Sequence, residues 1–422
     1  MDTPSTDHDR LDFATLTPDS DDPRVAGWLQ AVARGFHEGR AGEESEQLWR
    51  RYGCRDRPAL KGAWIREGEY GASAIPVATF GSFGGTLNTG ATEVPLHFVT
   101  DVTVAPSHRR RGLLRRMMAD DLQSAVEAGR PLAALTVSEG GIYGRFGYGL
   151  ATWRTEVEVD VTARFKLAGH VDEGRMVVQE PEEMWPVPRD LFAQWHRATR
   201  GSLSRPAFYE MLARAEWDWE AQSKDTRLRG AVHLSADGEP DGYVLYRHEG
   251  WDRPPTVTVR DLVALTPSAY LSLWQFLAGI DLTERVKYSG PLDDPLPWAL
   301  TDTHAYRVVK QLDHIWLRVL DVPAALSARP WYADGTVVLD VADAFGHAAG
   351  TWRVTSSGGE AKVERVSEPG TVSLDARSLG SLYLGGVSVL TLAAAGQVTG
   401  PGVEELAAMA DGGPVPYSLT SF

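Results

Sequence analysis

The sequence predicts a chain of mixed α/β and α+β class built from three units. Three observations carry that prediction. A strand, an arginine-rich turn, an amphipathic helix and a second strand follow one another between residues 96 and 137. A copy of the strand–turn–helix pattern returns at 259–280. The last third abandons that order for alternating segments separated by glycine-rich breaks. A chain of 422 residues is long enough for about two or three domains.

The first strand is "VPLHFVTDVTVAPS". Leu96, Phe98, Thr100, Val102 and Val104 alternate with His97, Val99, Asp101 and Thr103, and Pro106 closes the run. Period two with β-branched residues is the pattern of a strand. Leu113, Leu114, Met117, Met118, Leu122 and Val126 then recur at helical spacing as far as Gly129 and Pro131. "PLAALTV" (131–137) is a second, short apolar strand. Between the first strand and the helix stand Arg109, Arg110 and Arg111, then Gly112. The helix dipole favours anions at that end, so a cationic helix start is unfavourable unless something negative sits there. Free N–H groups in the first turn add a place for an anion to bind. A solvated basic face is the plain alternative. A Walker phosphate loop is excluded because no Gly-x-x-x-x-Gly-Lys-Ser/Thr is present. A dinucleotide fingerprint is excluded because the turn has one glycine. Next comes "TVSEGGIYGRFGYG" (136–149). Ser138 is a candidate N-cap, and the glycines allow tight turns or close approach to a ligand.

The copy, "VRDLVALTPSAYLSLWQFLAGI", also begins Val-x-Asp and also breaks at Pro-Ser (267–268, against 106–107). It has neither arginine nor glycine at the turn, and Leu271, Leu273, Trp274 and Leu277 predict a buried helix. This is a duplicated lobe that has lost its anion site. In the last third, "DHIWLRVLDVPAAL", "GTVVLDVADAFG", "GTWRVTS", "AKVERVS" and "TVSLDARSLGSLYLGG" read as antiparallel strands, followed by a helix at "SVLTLAAAGQV". "EWDWE" (216–220) reads as packing tryptophans with no ligand role.

The pair "RRRGLL" and, about 30 residues on, "IYGRFGY" resembles the GNAT superfamily of N-acetyltransferases. Arg109-x-x-Gly112 matches the family's pyrophosphate-binding signature, and Tyr143-x-x-x-Gly147-Tyr148 matches the segment that carries its general acid. The longer strings "VAPSHRRRGLLRRMM" and "SEGGIYGRFGYG" resemble the Eis branch, the multi-acetylating aminoglycoside acetyltransferases. Leu114 stands where the superfamily usually has Gly or Ala, a departure shared by that branch. The resemblance implies two tandem GNAT-like lobes, the second degenerate, and a sterol-carrier-like α+β domain. The expected boundaries are 1–153, 154–308 and 309–422.

The resemblance implies acetyl-CoA as cosubstrate. Its contacts would run from Val102, Thr103 and Val104 through Arg109, Arg110, Arg111, Gly112, Leu113, Leu114 and Arg115 to Ser138 and Glu139. Tyr143 would be the general acid and the C-terminal carboxylate of Phe422 the general base. Glu38, Trp49 and Asp313 match substrate contacts for a cationic amine. Ser421 stands where the family often has Glu, which removes one negative charge. A homohexamer is implied as well. Protein lysine or a small polyamine is the alternative acceptor, and a lipid or sterol carrier on a GNAT scaffold the alternative function. The net charge of −15 argues against nucleic-acid binding. The eleven histidines lack metal spacing and the single Cys54 cannot form an intrachain disulfide, so no metal and no disulfide are expected. The acidic N-terminus resembles no secretory leader and no run is long enough to span a bilayer, so a cytoplasmic protein without a membrane partner is expected.

Overall fold

The computed structural model describes residues 10–250 and 253–422. The first nine residues of the N-terminal stretch read above for a leader lie outside them. The first lobe comprises β1 (Leu11–Leu16), α1 (Arg24–Gly35), α2 (Glu43–Gly53), β2 (Ala59–Ile65), β3 (Ala78–Asn88), β4 (Glu93–Val104), α3 (Leu113–Glu127), β5 (Leu132–Thr136), α4 (Gly140–Tyr143) and β6 (Gly149–Leu150). The second comprises β7 (Trp153–Asp160), β8 (Arg175–Gln179), α5 (Pro181–Met184), α6 (Pro186–Ala198), α7 (Phe208–Ala213), β9 (Leu228–Leu234), β10 (Pro240–His248), β11 (Thr256–Ala264), α8 (Pro267–Ala278), β12 (Arg285–Gly290), α9 (Leu296–Ala299) and β13 (Tyr306–Asp313). Then follow β14 (Ile315–Val319), α10 (Val322–Ser327), β15 (Gly335–Ala342), β16 (Gly350–Ser357), β17 (Glu360–Arg365), β18 (Val372–Asp375), α11 (Ala376–Leu382), α12 (Val389–Ala394), β19 (Val398–Thr399) and α13 (Val403–Ala410).

Three sheets result, ordered β1-β2-β3-β4-β5-β14-β6, β13-β7-β12-β11-β10-β9-β8 and β17-β16-β15-β18-β19. The duplication is visible in the pairing. β4 and β5 are parallel in the first sheet, and β11 and β12 are parallel in the second, each pair joined through a helix. Among the described residues no helix is long and apolar enough to cross a membrane.

Two expectations need correction. "DHIWLRVL" is not the first strand of the third unit. Every residue of β14 is buried, so it needs cover on both faces. It finds that cover inside the first sheet, with Ile315 opposite Thr136 and Val319 opposite Leu132. The expected boundary at 308/309 therefore falls within β13, and that at 153/154 cuts the first residue from β7. The last third is also not wholly antiparallel, because β15 and β18 run parallel and "ARSLGSL" is helix α11.

The third unit is not a separate bead. Phe83, Leu96, Phe98 and Leu317 share one core with Val337, Leu374, Leu379 and Tyr383. Gly147 and Gly149, read above as room for a ligand, make room for this docking. A Cβ on Gly147 would lie 1.7 Å from Nη1 of Arg318, and one on Gly149 would lie 1.9 Å from the Arg377 carbonyl. Arg318 is itself buried and bonds both Asp343 carboxylate oxygens, at 3.0 and 2.9 Å. The segment that carries Tyr143 is thus buttressed by the C-terminal unit. The chain's last residues return to the lobes: Tyr417 N–H donates to Arg200 O (2.9 Å), and the Thr420 hydroxyl to Leu203 O (2.9 Å).

Candidate active site

β4 pairs with β5 only at Leu96–Phe98 against Leu132–Ala134. Beyond that point the two strands part, and the backbone of Val102, Thr103 and Val104 has no ladder partner in β5. On its other side β4 carries a bulge against β3, where the register shifts between Thr79–Thr103 and Gly81–Thr100. Asp101 sits in that bulge with φ +53°, a conformation that Asp and Asn tolerate better than most residues. Its carbonyl accepts from the Thr79 hydroxyl at 2.7 Å. The result is a V between two strands, with hydrogen-bonding backbone along one limb.

The arginine turn lies where β4 leads into α3. Arg109, Arg110, Arg111, Arg115 and Arg116 are exposed. Arg110 (φ +63°) and Gly112 (φ +79°) are both left-handed, so the turn reverses sharply into the helix. Gly112 caps α3 with no side-chain bond, and the first turn contains no acid. The space a Cβ of Gly112 would enter is open. Some of the cationic charge is absorbed. Arg111 reaches Ser107 O (2.9 Å), Arg116 covers the Phe13 ring (3.7 Å) and Arg115 the Phe345 ring (5.1 Å). Behind the sheet, Asp121 of α3 accepts from Ser82 Oγ (2.6 Å), Lys61 Nζ (2.8 Å) and His97 Nε2 (2.6 Å). Arg130 can only donate to His97 Nδ1, so the proton on Nε2 faces Asp121. This buried network fixes the helix that begins at the arginines.

Tyr143 ends the short helix α4, half-buried and edge-on to Tyr148 with centroids 6.4 Å apart. Burial, with Glu139 second, pushes its phenol up to about 12. The group therefore stays protonated at any working pH, as an acid must before it donates. Glu139, not the expected Ser138, is the N-cap of α4, and it makes no side-chain cap bond; both residues are exposed. Tyr148 is fully buried.

Where the V closes lies a cavity of about 590 Å³. Its walls include Trp28, Trp49 and Phe83 from the first lobe and Phe208, Tyr209 and Trp217 from the second. Glu38, Asp101, Thr136, Ser421 and Phe422 also line it. The Phe422 ring packs edge-on to Phe98 (4.4 Å) and Phe83 (6.1 Å). Thr136 donates to Phe422 O at 2.7 Å. The Tyr209 hydroxyl accepts from Ser421 N–H at 2.8 Å, and His314 Nε2 lies 3.0 Å from Ser421 Oγ. Burial, with Arg154 second, pushes His314 down to about 3, so this neighbour of the terminus is neutral. Asp313, grouped by sequence with Glu38 and Trp49, is not on the cavity wall; its carboxylate accepts from the Trp316 indole at 2.8 Å.

Sequence reasoning missed Asp101, which looked like an ordinary strand residue, and everything the second lobe contributes. In "EWDWE" Trp217 does pack, against Leu48, Tyr52 and Met211 and edge-on to Trp219, and both tryptophans also line the cavity. Burial, with Glu38 second, raises Asp101 to about 7. Glu38, at the exposed rim, is also raised by desolvation.

The corresponding place in the second lobe is filled. Thr266 caps α8, its hydroxyl accepting from Ala269 N–H at 3.0 Å. Asp261, the counterpart of Asp101, sits beside an equivalent register shift and takes two bonds from Arg205 (2.8 and 2.6 Å) and one from the Tyr243 hydroxyl.

Comparison with known proteins shows the family. Residues 22–151 and 210–319 each match an acetyltransferase (GNAT) domain, and 322–418 match a sterol carrier protein domain. The chain is 36% identical over 395 residues to an uncharacterized N-acetyltransferase of Streptomyces griseus, covering 90% of this chain and 92% of that one. It is 34% identical over 367 residues to the N-acetyltransferase Eis of Mycobacterium tuberculosis, covering 85% and 86%. The crystal structure of Eis1 from Mycobacterium abscessus superposes with a TM-score of 0.80 at 29% identity, over 98% of this chain and all of that one.

Proposed function

The chain belongs to the Eis family of GNAT N-acetyltransferases, and from that premise we propose that it moves the acetyl group of acetyl-CoA to a primary amine of a cationic small molecule. Aminoglycosides and other polyamines are the candidates the family resemblance supplies, with more than one amine open to modification. The observation that carries the reading is the opened β4–β5 V, flanked by the arginine turn and leading to a cavity that is open at its Glu38 rim.

The residues divide the work as follows. Arg109, Arg110 and Arg111, with the free amides of Gly112, Leu113 and Leu114, suit a pyrophosphate. The edge of Val102–Val104 that β5 leaves without a partner suits an amide-bearing arm laid along the strand, and Arg115, Ser138 and Glu139 stand at its edges. The amine must lose a proton before it attacks the thioester carbon. The Phe422 carboxylate, directly or through a water, is the base in this reading, with the carbonyl oxygen already oriented by Thr136. As the tetrahedral intermediate collapses, the carbon–sulfur bond breaks and the thiolate needs stabilisation. Full transfer from a phenol near 12 to a thiolate whose acid lies near about 8.5 is uphill. Tyr143 therefore acts chiefly by donating a hydrogen bond as the negative charge forms. Glu38 and Trp49 hold the substrate at the cavity, and Asp313 acts only through Trp316.

The test is a thiol-release assay on a panel of primary amines with the unaltered chain, a C-terminally extended chain and Tyr143→Phe. Extension turns the Phe422 carboxylate into an amide, which cannot accept the proton. Turnover is expected to fall by roughly a hundredfold or more in each variant, with acetyl-CoA binding retained. Full activity in the extended chain would move the base to Glu38, Glu139 or Asp101. A homohexamer in the cytoplasm completes the proposal, and light scattering checks the assembly. The carrier alternative has no comparable support: Arg109, Gly112 and Tyr143 would be idle in it.

A further inference from the structure

Arg34, His37 and Arg40 line a neighbouring pocket that shares Glu38, but among the described residues the cavity wall itself contains no Arg, Lys or His. It contains four acidic side chains, and two of these are already engaged. Glu46 is paired with Arg50 at 3.0 Å, and Asp56 accepts from the Ala207 N–H at 2.8 Å. Among the described residues no hydrogen bond or ion pair reaches the carboxylates of Asp101 or Glu38, and the two are close enough to repel each other. Asp101 is held in place by its backbone, through the bulge and the Thr79 bond, rather than by a side-chain partner. Its counterpart Asp261 shows what this position does when no ligand comes: it is satisfied by a guanidinium.

The rest of the wall is aromatic and aliphatic. Of its other polar side chains, Tyr209 is engaged with Ser421, Thr136 with Phe422, Tyr52 with Glu216, Ser45 with Gly42 O and Gln222 with Trp219 O, while Thr100 adds one hydroxyl beside Asp101. A polyhydroxylated body would find acceptors at the carboxylates, but every hydroxyl placed against the ring faces would lose water without a partner, which is unfavourable. An apolar body would gain from the same surface, and an ammonium group over aromatic faces gains further.

Resting on the acetyl-transfer reading above, we propose that Asp101, with Glu38 beside it, receives the ammonium group of an acceptor whose remaining body is apolar and ring-bearing. Asp101 then sets specificity by placing one amine, and the aromatic walls select what carries that amine. The raised Asp101 pKa agrees with this, since burial first and the Glu38 charge second disfavour the carboxylate, and an ammonium beside it offsets both.

The probes are 2-phenylethylamine and kanamycin, and the variant is Asp101→Asn, which keeps the left-handed bulge because Asn tolerates it equally. In the thiol-release assay 2-phenylethylamine should show a kcat/KM at least tenfold above that of kanamycin. Asp101→Asn should raise the KM for 2-phenylethylamine at least tenfold and leave the acetyl-CoA dissociation constant unchanged. Calorimetric binding of 2-phenylethylamine to the coenzyme A complex gives a second readout that needs no turnover, and it should weaken to the same degree. Unchanged amine binding in Asp101→Asn, or a preference for kanamycin, overturns the proposal. Asp101-dependent binding without thiol release supports this inference and counts against the acetyl-transfer reading instead.

Discussion

The two lobes begin from one chain pattern and finish it differently. In the second lobe, Thr266 closes the start of α8 and Arg205 neutralises Asp261, so the polar groups at the strand–helix junction are satisfied by the protein. In the first lobe, α3 begins at Gly112 with no side-chain cap and five exposed arginines nearby, and Asp101 has no partner among the described residues. The same fold therefore holds two unmet demands in one copy, an anion at the helix start and a cation at the bulge. In the function proposed above, an acyl carrier with a pyrophosphate would meet the first demand and an alkylammonium the second. The second lobe supplies wall and anchor instead: Phe208, Tyr209 and Trp217 complete the cavity.

This contrast can be broken from the second lobe with the largest effect. Arg205→Leu leaves Asp261 buried without its cation, a change that costs about 3–5 kcal/mol. Chemical denaturation should show a loss of that order. If the midpoint moves by only a few tenths of a molar in urea, the second lobe is not closed by this pair.

The matching substitution in the first lobe should act with the opposite sign. Asp101 is raised from 3.8 in the unfolded chain to about 7 when folded. Between those values the folded state holds the extra proton, so stability falls as pH rises through the window and the penalty is complete above about 7. Asp101→Asn removes it. Its melting temperature should exceed that of the parent chain at pH 8, and the gap should close as the pH approaches 4. A gap independent of pH would mean that Asp101 is not the unpaired group described here. Glu38, also raised by desolvation, adds only a smaller trend of the same sign because it stands at the rim.

The fold was legible where the pattern was local. The β4–α3–β5 unit, its degenerate copy at β11–α8 and the arginine turn follow from alternation, helical spacing and one glycine. What was not legible depended on contacts distant in sequence. Nothing in "HIWLRV" says that it inserts between β5 and β6, because a central strand and an edge strand of another unit share the same short apolar run. Gly147 and Gly149 looked like ligand glycines, and their role became clear only with Arg318 and Arg377 beside them. Trp217 and Tyr209 reach the cavity from the second lobe. The Val-x-Asp shared by the two copies did mark Asp101, but its meaning lay in the partner that Asp261 has and Asp101 lacks.

The central claim, that one lobe kept its cosubstrate site and the other closed it, meets its most direct test in a calorimetric titration of acetyl-CoA. One site per chain is expected. Binding should also be at least tenfold weaker in Arg110→Ala/Arg111→Ala, since charge-assisted bonds of this kind contribute about 1.5–3 kcal/mol each. Two sites per chain, or an unchanged dissociation constant in the double variant, would contradict it.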